Sequence, residues 1–259
     1  MLRPLIASFT ALMASGLLAG TGCDKQQEAL GLLDPGPVHI QDLSQFNVQT
    51  WSLMAGEGWS YLRRASSSDD DTVNDPTAPF VPPEALRIVF TPDMGRDSEP
   101  SVHWIALPHA REVLAVWWMK LSPNWTPSPA GGGKITFLWA ANGQGQVYSN
   151  VGGSSAPHRI DINTEWAPYG QNFWEPNVGM TPIYYDQWYR VEWYLRWESS
   201  PGAGDGIMRW WVNGMLNGDY RNVRFPGCCF QQFEFAPTRQ DTPPSEQFLF
   251  IDHTHVSVP

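Results

Sequence analysis

Residues 187–197 read QWYRVEWYLRW, and apolar or aromatic side chains alternate with polar ones through the whole stretch. Two sets of side chains therefore share one face each: Tyr189, Val191, Trp193, Leu195 and Trp197 on the first, and Trp188, Arg190, Glu192, Tyr194 and Arg196 on the second. Because successive side chains of a β-strand point to opposite faces, this period of two predicts a strand with one face in a core.

Further strands are predicted on both sides of this segment. Runs rich in β-branched and aromatic residues occupy 85–90, 102–107, 113–121, 134–140, 146–151, 158–163 and 248–258. Residues 207–220 read IMRWWVNGMLNGDY, and Asn213-Gly214 between two apolar runs predicts a hairpin. We therefore predict an all-β chain that folds as an antiparallel two-sheet β-sandwich. Its predicted core includes Trp193, Leu195, Trp210 and Val212.

The first 22 residues predict a secretory signal. Arg3 precedes an apolar run over residues 5–18, and small residues then lead to Cys23 in the sequence GTGC. The run is shorter than the ~20 apolar residues of a membrane span. A cysteine after small residues resembles the lipobox of bacterial lipoproteins, although Gly20 stands where that motif usually has leucine. We predict a signal peptide over 1–22, a tether over 23–44, a single domain over 45–259, and a lipid on Cys23 that anchors an extracytoplasmic protein to a membrane.

The charge and composition of the chain limit the classes of molecule that it is expected to bind. The net charge is −10, which argues against nucleic acid, because phosphates call for a basic surface. The 14 tryptophans suggest flat aromatic surfaces, which suit sugar rings and hence a polysaccharide. The acidic stretch 69–75 makes calcium possible, because hard cations prefer clustered oxygens. It lacks the spacing of a known calcium loop, which favours a solvated loop and no cofactor.

Cys228 and Cys229 are the only cysteines besides Cys23. They provide neither a disulfide framework nor the spacing of a zinc site, so no metal site is predicted. A vicinal disulfide is conceivable in an oxidising compartment. Neighbours on a strand point to opposite faces, however, which favours two free thiols with one buried and one exposed.

The order of several short motifs resembles the concanavalin A-like jelly-roll superfamily, and within it polysaccharide lyase family 14 and the heparin lyase I and glucuronan lyase groups. The matching pieces are, in chain order, Gly132-Gly133-Lys134-Ile135, Gln187-Trp188-Tyr189, Asp205-Gly206 with Val212-Asn213-Gly214, and Ile251-Asp252-His253. The resemblance covers residues 45–257. The chain departs from it at 231–234, where a glycine-rich segment is missing, and at Asn172 and Phe173, where the family has tyrosines.

This resemblance implies β-elimination on a uronate-containing polysaccharide. Such a lyase neutralises the uronate carboxylate, removes a proton from the neighbouring carbon and protonates the departing oxygen. The resemblance implies that Lys134 lies in a concave groove and that Arg159 binds the substrate carboxylate, with Tyr148 or Tyr169 as base or acid. Four further residues are candidates for substrate binding: Trp139, Arg190, Tyr194 and Arg196.

The residues by themselves leave other interpretations open. Lys134 is also compatible with the solvated end of a glycine turn, Arg159 with a surface arginine, and the polar row 190–196 with a solvated outer face. A non-catalytic, lectin-like envelope protein and a structural envelope protein without a ligand remain alternatives to a lyase. A retaining glucanase is not predicted, because the paired carboxylates of an ExDxxE strand are missing.

Overall fold

The protein folds into two antiparallel sheets. The computed structural model describes residues 49–53, 60–64, 70–79, 84–129, 133–143, 145–166, 170–225 and 227–258. The strands are β1 (Gln49–Leu53), β2 (Ser60–Arg64), β3 (Asp70–Asn74), β4 (Glu84–Phe90), β5 (Ser101–Ala110), β6 (Glu112–Leu121), β7 (Gly133–Ala140), β8 (Gly145–Gly152), β9 (Arg159–Trp166), β10 (Gly170–Trp174), β11 (Tyr189–Arg196), β12 (Gly206–Val212), β13 (Met215–Val223), β14 (Phe230–Arg239) and β15 (Gln247–Val258). The all-β prediction is confirmed.

The strand order shows a jelly roll rather than a simple meander. Sheet A has the order β13-β12-β11-β6-β15-β4-β3, with β1 pairing with β15. Sheet B has the order β10-β9-β8-β7-β14-β5-β2. In both sheets a central strand pairs with one that is distant in sequence, as β6 does with β15 and β7 with β14. These crossed connections agree with the jelly roll expected from the sequence.

The core lies between the two sheets and is rich in tryptophan. The four predicted core residues, Trp193, Leu195, Trp210 and Val212, are all fully buried, and this prediction is confirmed. Trp193 meets Trp117 edge to face, with 6.4 Å between ring centroids. From sheet B, Ile135 and Leu138 point into the same core. Where a strand is regular, alternation sends the neighbours of these residues to the outer faces of the sandwich.

Several expectations concern residues at the N-terminal end. The signal peptide, the tether and Cys23 lie outside the described residues, as does Asp69 of the acidic stretch. The described carboxylates of that stretch have separate partners: Asp70 accepts from Ser101, Asp71 pairs with Arg87 and Asp75 pairs with Lys120. Within the described ranges, no helix is long and apolar enough to cross a membrane.

Candidate functional site

A β-bulge in β7 determines which way Lys134 points. Lys134 pairs with Asn150 and Phe137 pairs with Tyr148, so a step of three residues on β7 lies opposite a step of two on β8. In a regular strand Lys134 and Phe137 would face opposite sides. The bulge turns both outward, and the Lys134 Nζ atom lies 5.8 Å from the centroid of the Phe137 ring.

We call the outer surface of sheet B around this lysine the Lys134 face. Pairing across β7 to β10 and β14 places one set of outward side chains side by side. This set includes Lys134, Phe137, Trp139, Gln146, Tyr148, Asn150, Arg159, Asp161, Asn163, Glu165, Gln171, Phe173, Gln232 and Glu234.

The centre of the Lys134 face is a cluster of a lysine, a tyrosine and a carboxylate. The Lys134 Nζ atom lies 4.4 Å from the centroid of the Tyr148 ring and 4.0 Å from Glu165 Oε1. The Tyr148 hydroxyl donates a hydrogen bond of 2.6 Å to the same oxygen, Glu165 Oε1. Gln171 Nε2 donates to the Tyr148 hydroxyl at 2.8 Å. The phenol is thus oriented from both sides, and the ammonium lies over its ring.

The environment of Tyr148 keeps its hydroxyl protonated. Burial raises the pKa of Tyr148 above its usual range, and the hydrogen bond to the Glu165 carboxylate raises it further. A phenol with a raised pKa remains neutral at neutral pH. In this state Tyr148 has a proton to give, which is compatible with the proton-donor role among the two that the sequence leaves open for it.

Arg159 is on the same face, but its charge is already compensated. Its Nε atom donates to Asp161 at 2.7 Å and one of its terminal nitrogens donates to Glu175 at 2.5 Å. Burial raises the pKa of Asp161 to about 6, even though Arg159 acts to lower it. A β-carbon at Gly152 would lie 1.9 Å from the Asp161 carboxylate, so this glycine makes the room for the carboxylate to reach Arg159.

Aromatic side chains lie on both sides of the central cluster. Trp139 stacks on Phe137 with 6.0 Å between ring centroids, and its Nε1 atom donates to Glu234 at 2.6 Å. Phe173 lies on the edge strand β10, opposite Asn163, and 68% of it is exposed. Flat rings at these two positions suit the apolar faces of sugar rings.

The charge of this surface is acidic. Among the described residues, the Lys134 face carries two cations, Lys134 and Arg159. With Glu175, which pairs with Arg159, the surface has four carboxylates: Asp161, Glu165, Glu175 and Glu234. Both cations are in contact with a carboxylate. The surface therefore has little capacity for a densely charged anion.

Three candidate residues lie on the other side of the molecule. Arg190, Tyr194 and Arg196 project from the outer face of sheet A, because their neighbours Val191, Trp193 and Leu195 point into the core. The Tyr194 hydroxyl donates to Glu112 at 3.3 Å, and Arg190 donates to Glu192 at 2.8 Å. The structure thus does not bring them to Lys134, whereas Tyr148, Arg159 and Trp139 do share its face. Tyr169 lies outside the described residues.

Two central residues, Glu165 and Gln171, were missed at the level of the sequence. The signal for Glu165 was present, since Arg159, Asp161, Asn163 and Glu165 continue one polar alternation along β9. Gln171 carried no such signal, because only the pairing of β10 with β9 places it opposite Glu165.

Comparisons with known structures show the fold. An endo-β-1,4-glucuronan lyase from the fungus Trichoderma reesei aligns over 81% of this chain and 95% of its own, with a TM-score of 0.58 and 14% identity. The alginate lyase Aly36B aligns over 80% and 96%, with a TM-score of 0.53 and 11% identity. A carbohydrate esterase from the Shiga toxin-encoding bacteriophage phi24B aligns over 80% and 96%, with a TM-score of 0.51 and 12% identity. No protein-family model and no curated protein sequence matches the chain.

Proposed function

We propose that the Lys134 face binds a uronate-containing polysaccharide and cleaves it by β-elimination. The observation that carries this proposal is the central cluster, in which an ammonium, a protonated phenol and a carboxylate meet around Glu165 Oε1. The shared fold with two uronate polysaccharide lyases supports it. These three groups correspond to the three tasks of an elimination: charge neutralisation, proton donation and proton removal.

Each group has one step in the proposed reaction. The Lys134 ammonium binds the uronate carboxylate and makes the adjacent carbon more acidic. Glu165 takes the proton from that carbon, the electron pair forms a carbon–carbon double bond, and the bond to the glycosidic oxygen breaks. Tyr148 gives its proton to that oxygen. The proton on Glu165 then moves to the Tyr148 oxygen along the 2.6 Å hydrogen bond between them, which restores the starting state.

The acidic surroundings favour one kind of uronate polymer. Of the two cations on the Lys134 face, Lys134 has a long contact of 4.0 Å with its carboxylate, whereas Arg159 is held by two carboxylates at 2.7 and 2.5 Å. One uronate carboxylate can replace the weak pair at Lys134, but further carboxylates on adjacent sugars would face Asp161 and Glu234. We therefore propose a substrate in which uronates are separated by neutral sugars, with those sugars packed against Trp139 and Phe173.

We expect that Lys134→Ala lowers turnover by roughly tenfold or more, which corresponds to about 1.4 kcal/mol. The assay is ultraviolet absorbance of the unsaturated product, measured on alginate, glucuronan, heparin, pectin and a polymer that alternates one glucuronate with neutral sugars. Arg221→Ala is the control, because it removes an exposed cation from sheet A. Lys134→Arg keeps the charge but not the shape, so partial activity is expected. Wild-type turnover by Lys134→Ala would show that this lysine only ends a turn.

A second candidate function is glycan binding without cleavage. It is favoured by the compensation of both cations and by Phe173, which stands where the lyase resemblance has a tyrosine. In that case the same polymers bind to the Lys134 face, as seen by calorimetry, but no absorbing product appears.

We further propose that the protein is anchored outside the cytoplasm by a lipid on Cys23. A Cys23→Ser variant is expected to stay unprocessed or to leave the membrane fraction, because the lipid attaches through the thiol. Cell fractionation with mass spectrometry of the N-terminus checks this, with Cys228→Ser as the matched cysteine control. Membrane fractionation and cleavage of Cys23→Ser as in the wild type would contradict the proposal.

A further inference from the structure

The vicinal cysteines lie beside a histidine at one end of sheet B. Cys228 and Cys229 form a disulfide in the segment just before β14, so the expectation of two free thiols on a strand is not met, whereas the expectation of one exposed and one buried cysteine is confirmed. The physical reason is that alternation applies within a strand, and both residues precede one. His109 belongs to the end of β5, and its Nδ1 atom lies 3.6 Å from Cys229 Sγ.

The three side chains are close enough to ligate one ion once the disulfide is reduced. The sulfur atoms of Cys228 and Cys229 and a ring nitrogen of His109 all lie within 4.8 Å of one another. Zinc bonds of ~2.3 Å to sulfur and ~2.0–2.1 Å to nitrogen at a tetrahedral angle place those two atoms about 3.6 Å apart. This is the separation that the structure shows between Cys229 Sγ and His109 Nδ1.

The backbone holds the histidine in this position from a second element. His109 has a φ of 55°, in the left-handed region that few residues other than glycine adopt. On the other side, the carbonyl of Cys229 accepts a hydrogen bond of 2.8 Å from Ala141, which ties the cysteine segment to the end of β7. The ligand atoms are therefore presented by two separately anchored segments rather than by one loose loop.

We infer that His109, Cys228 and Cys229 form a redox-gated site for a thiophilic divalent cation of the zinc class. The ligand set of two sulfurs and one nitrogen suits such an ion better than calcium or magnesium, which prefer oxygen. His109 and Cys228 are exposed, so the ion can enter from solvent and keep water as its fourth ligand.

The redox state of the disulfide controls whether the two sulfurs can bind the ion. A dithiol or phosphine reductant supplies two electrons, which break the sulfur–sulfur bond, and two protons complete the two thiols. Metal binding then releases those protons, since only thiolates coordinate zinc strongly. In the oxidised form the sulfurs are bonded to each other and are not available as thiolates, so the same three residues do not hold the ion.

Cobalt binding tests this inference independently of glycan cleavage. The full chain carrying Cys23→Ser is divided into an oxidised portion and a portion that is reduced with a phosphine and desalted without air. Each is titrated with Co²⁺, which reports tetrahedral thiolate ligation by its absorption bands. We expect one cobalt per chain in the reduced protein, displacement by Zn²⁺, and no bands in the oxidised protein.

Two variants of the same background test the ligands. Cys228→Ser is expected to lower the intensity of the thiolate–cobalt bands, because one of the two thiolates is lost. His109→Ala is expected to weaken binding by at least roughly 10–100-fold, since loss of even an outer-shell partner has an effect of that size. Thermal unfolding verifies that both variants are folded. Bound Zn²⁺ is also expected to protect the two thiols from an alkylating reagent, which gives a second readout that needs no variant. Equal cobalt binding in both redox forms, undiminished binding by folded His109→Ala, or no binding by the reduced protein would overturn the inference.

Discussion

Tyr148→Phe is expected to reduce turnover by roughly 10²–10⁴-fold, the usual contribution of a positioned general acid, while glycan affinity changes little. The substitution deletes the proton that the glycosidic oxygen requires and keeps the ring that lies 4.4 Å from Lys134 Nζ. Glu165 keeps the donation of Gln171 at 3.0 Å, so the carboxylate is not left without a partner. The measurement is kcat from product absorbance together with binding by calorimetry.

A matched control is available on the other sheet. Tyr194 is as buried as Tyr148, with 1% of each exposed, and it also donates to a carboxylate, that of Glu112. Because the structure places Tyr194 on the outer face of sheet A, Tyr194→Phe is expected to leave turnover unchanged. If Tyr148→Phe retains wild-type turnover, or if both variants lose it equally, Tyr148 is not the acid.

Trp193→Ala is expected to lower the free energy of unfolding by ~3–5 kcal/mol, as large aromatic truncations in cores do. Trp193 is fully buried at the centre of sheet A, between β6 and β12, and it contacts Trp117 edge to face. The cavity left by an indole in such a tightly paired region cannot close without moving both neighbouring strands.

Urea unfolding measures this effect through the transition midpoint. Phe173→Ala serves as the control, because 68% of Phe173 is exposed and exposed substitutions usually change stability by no more than about 0.5 kcal/mol. A midpoint for Trp193→Ala equal to that of the wild type would contradict the assignment of this face to the core.

Much of the fold was predictable because strands impose a simple local period. The alternation over residues 187–197 identified β11 and its buried face, and the Asn213-Gly214 turn located the hairpin of β12 and β13. Burial of the four predicted core residues follows from the same period of two. The polar alternation along β9 likewise indicated that Arg159 shares a face with Asp161 and Glu165.

The candidate site depends on contacts between segments that are distant in sequence. Alternation states which residues share a face, but not which of the two outer faces of the sandwich that is, and for this reason Arg190, Tyr194 and Arg196 were grouped with Lys134. Strand order separates them, since β11 belongs to sheet A and β7 to sheet B.

Local periodicity and the burial of apolar surface are enough to predict the strands, the two-sheet class and the core from the order of the residues. The position of Lys134 over Tyr148 and beside Glu165 depends instead on long-range pairing, because a bulge between Lys134 and Phe137 reverses the local alternation and pairing across β7, β8 and β9 aligns the three side chains. The contact of His109 with Cys229 has the same origin: 120 residues separate them in the chain, and only the pairing of β5 with β14 brings them together.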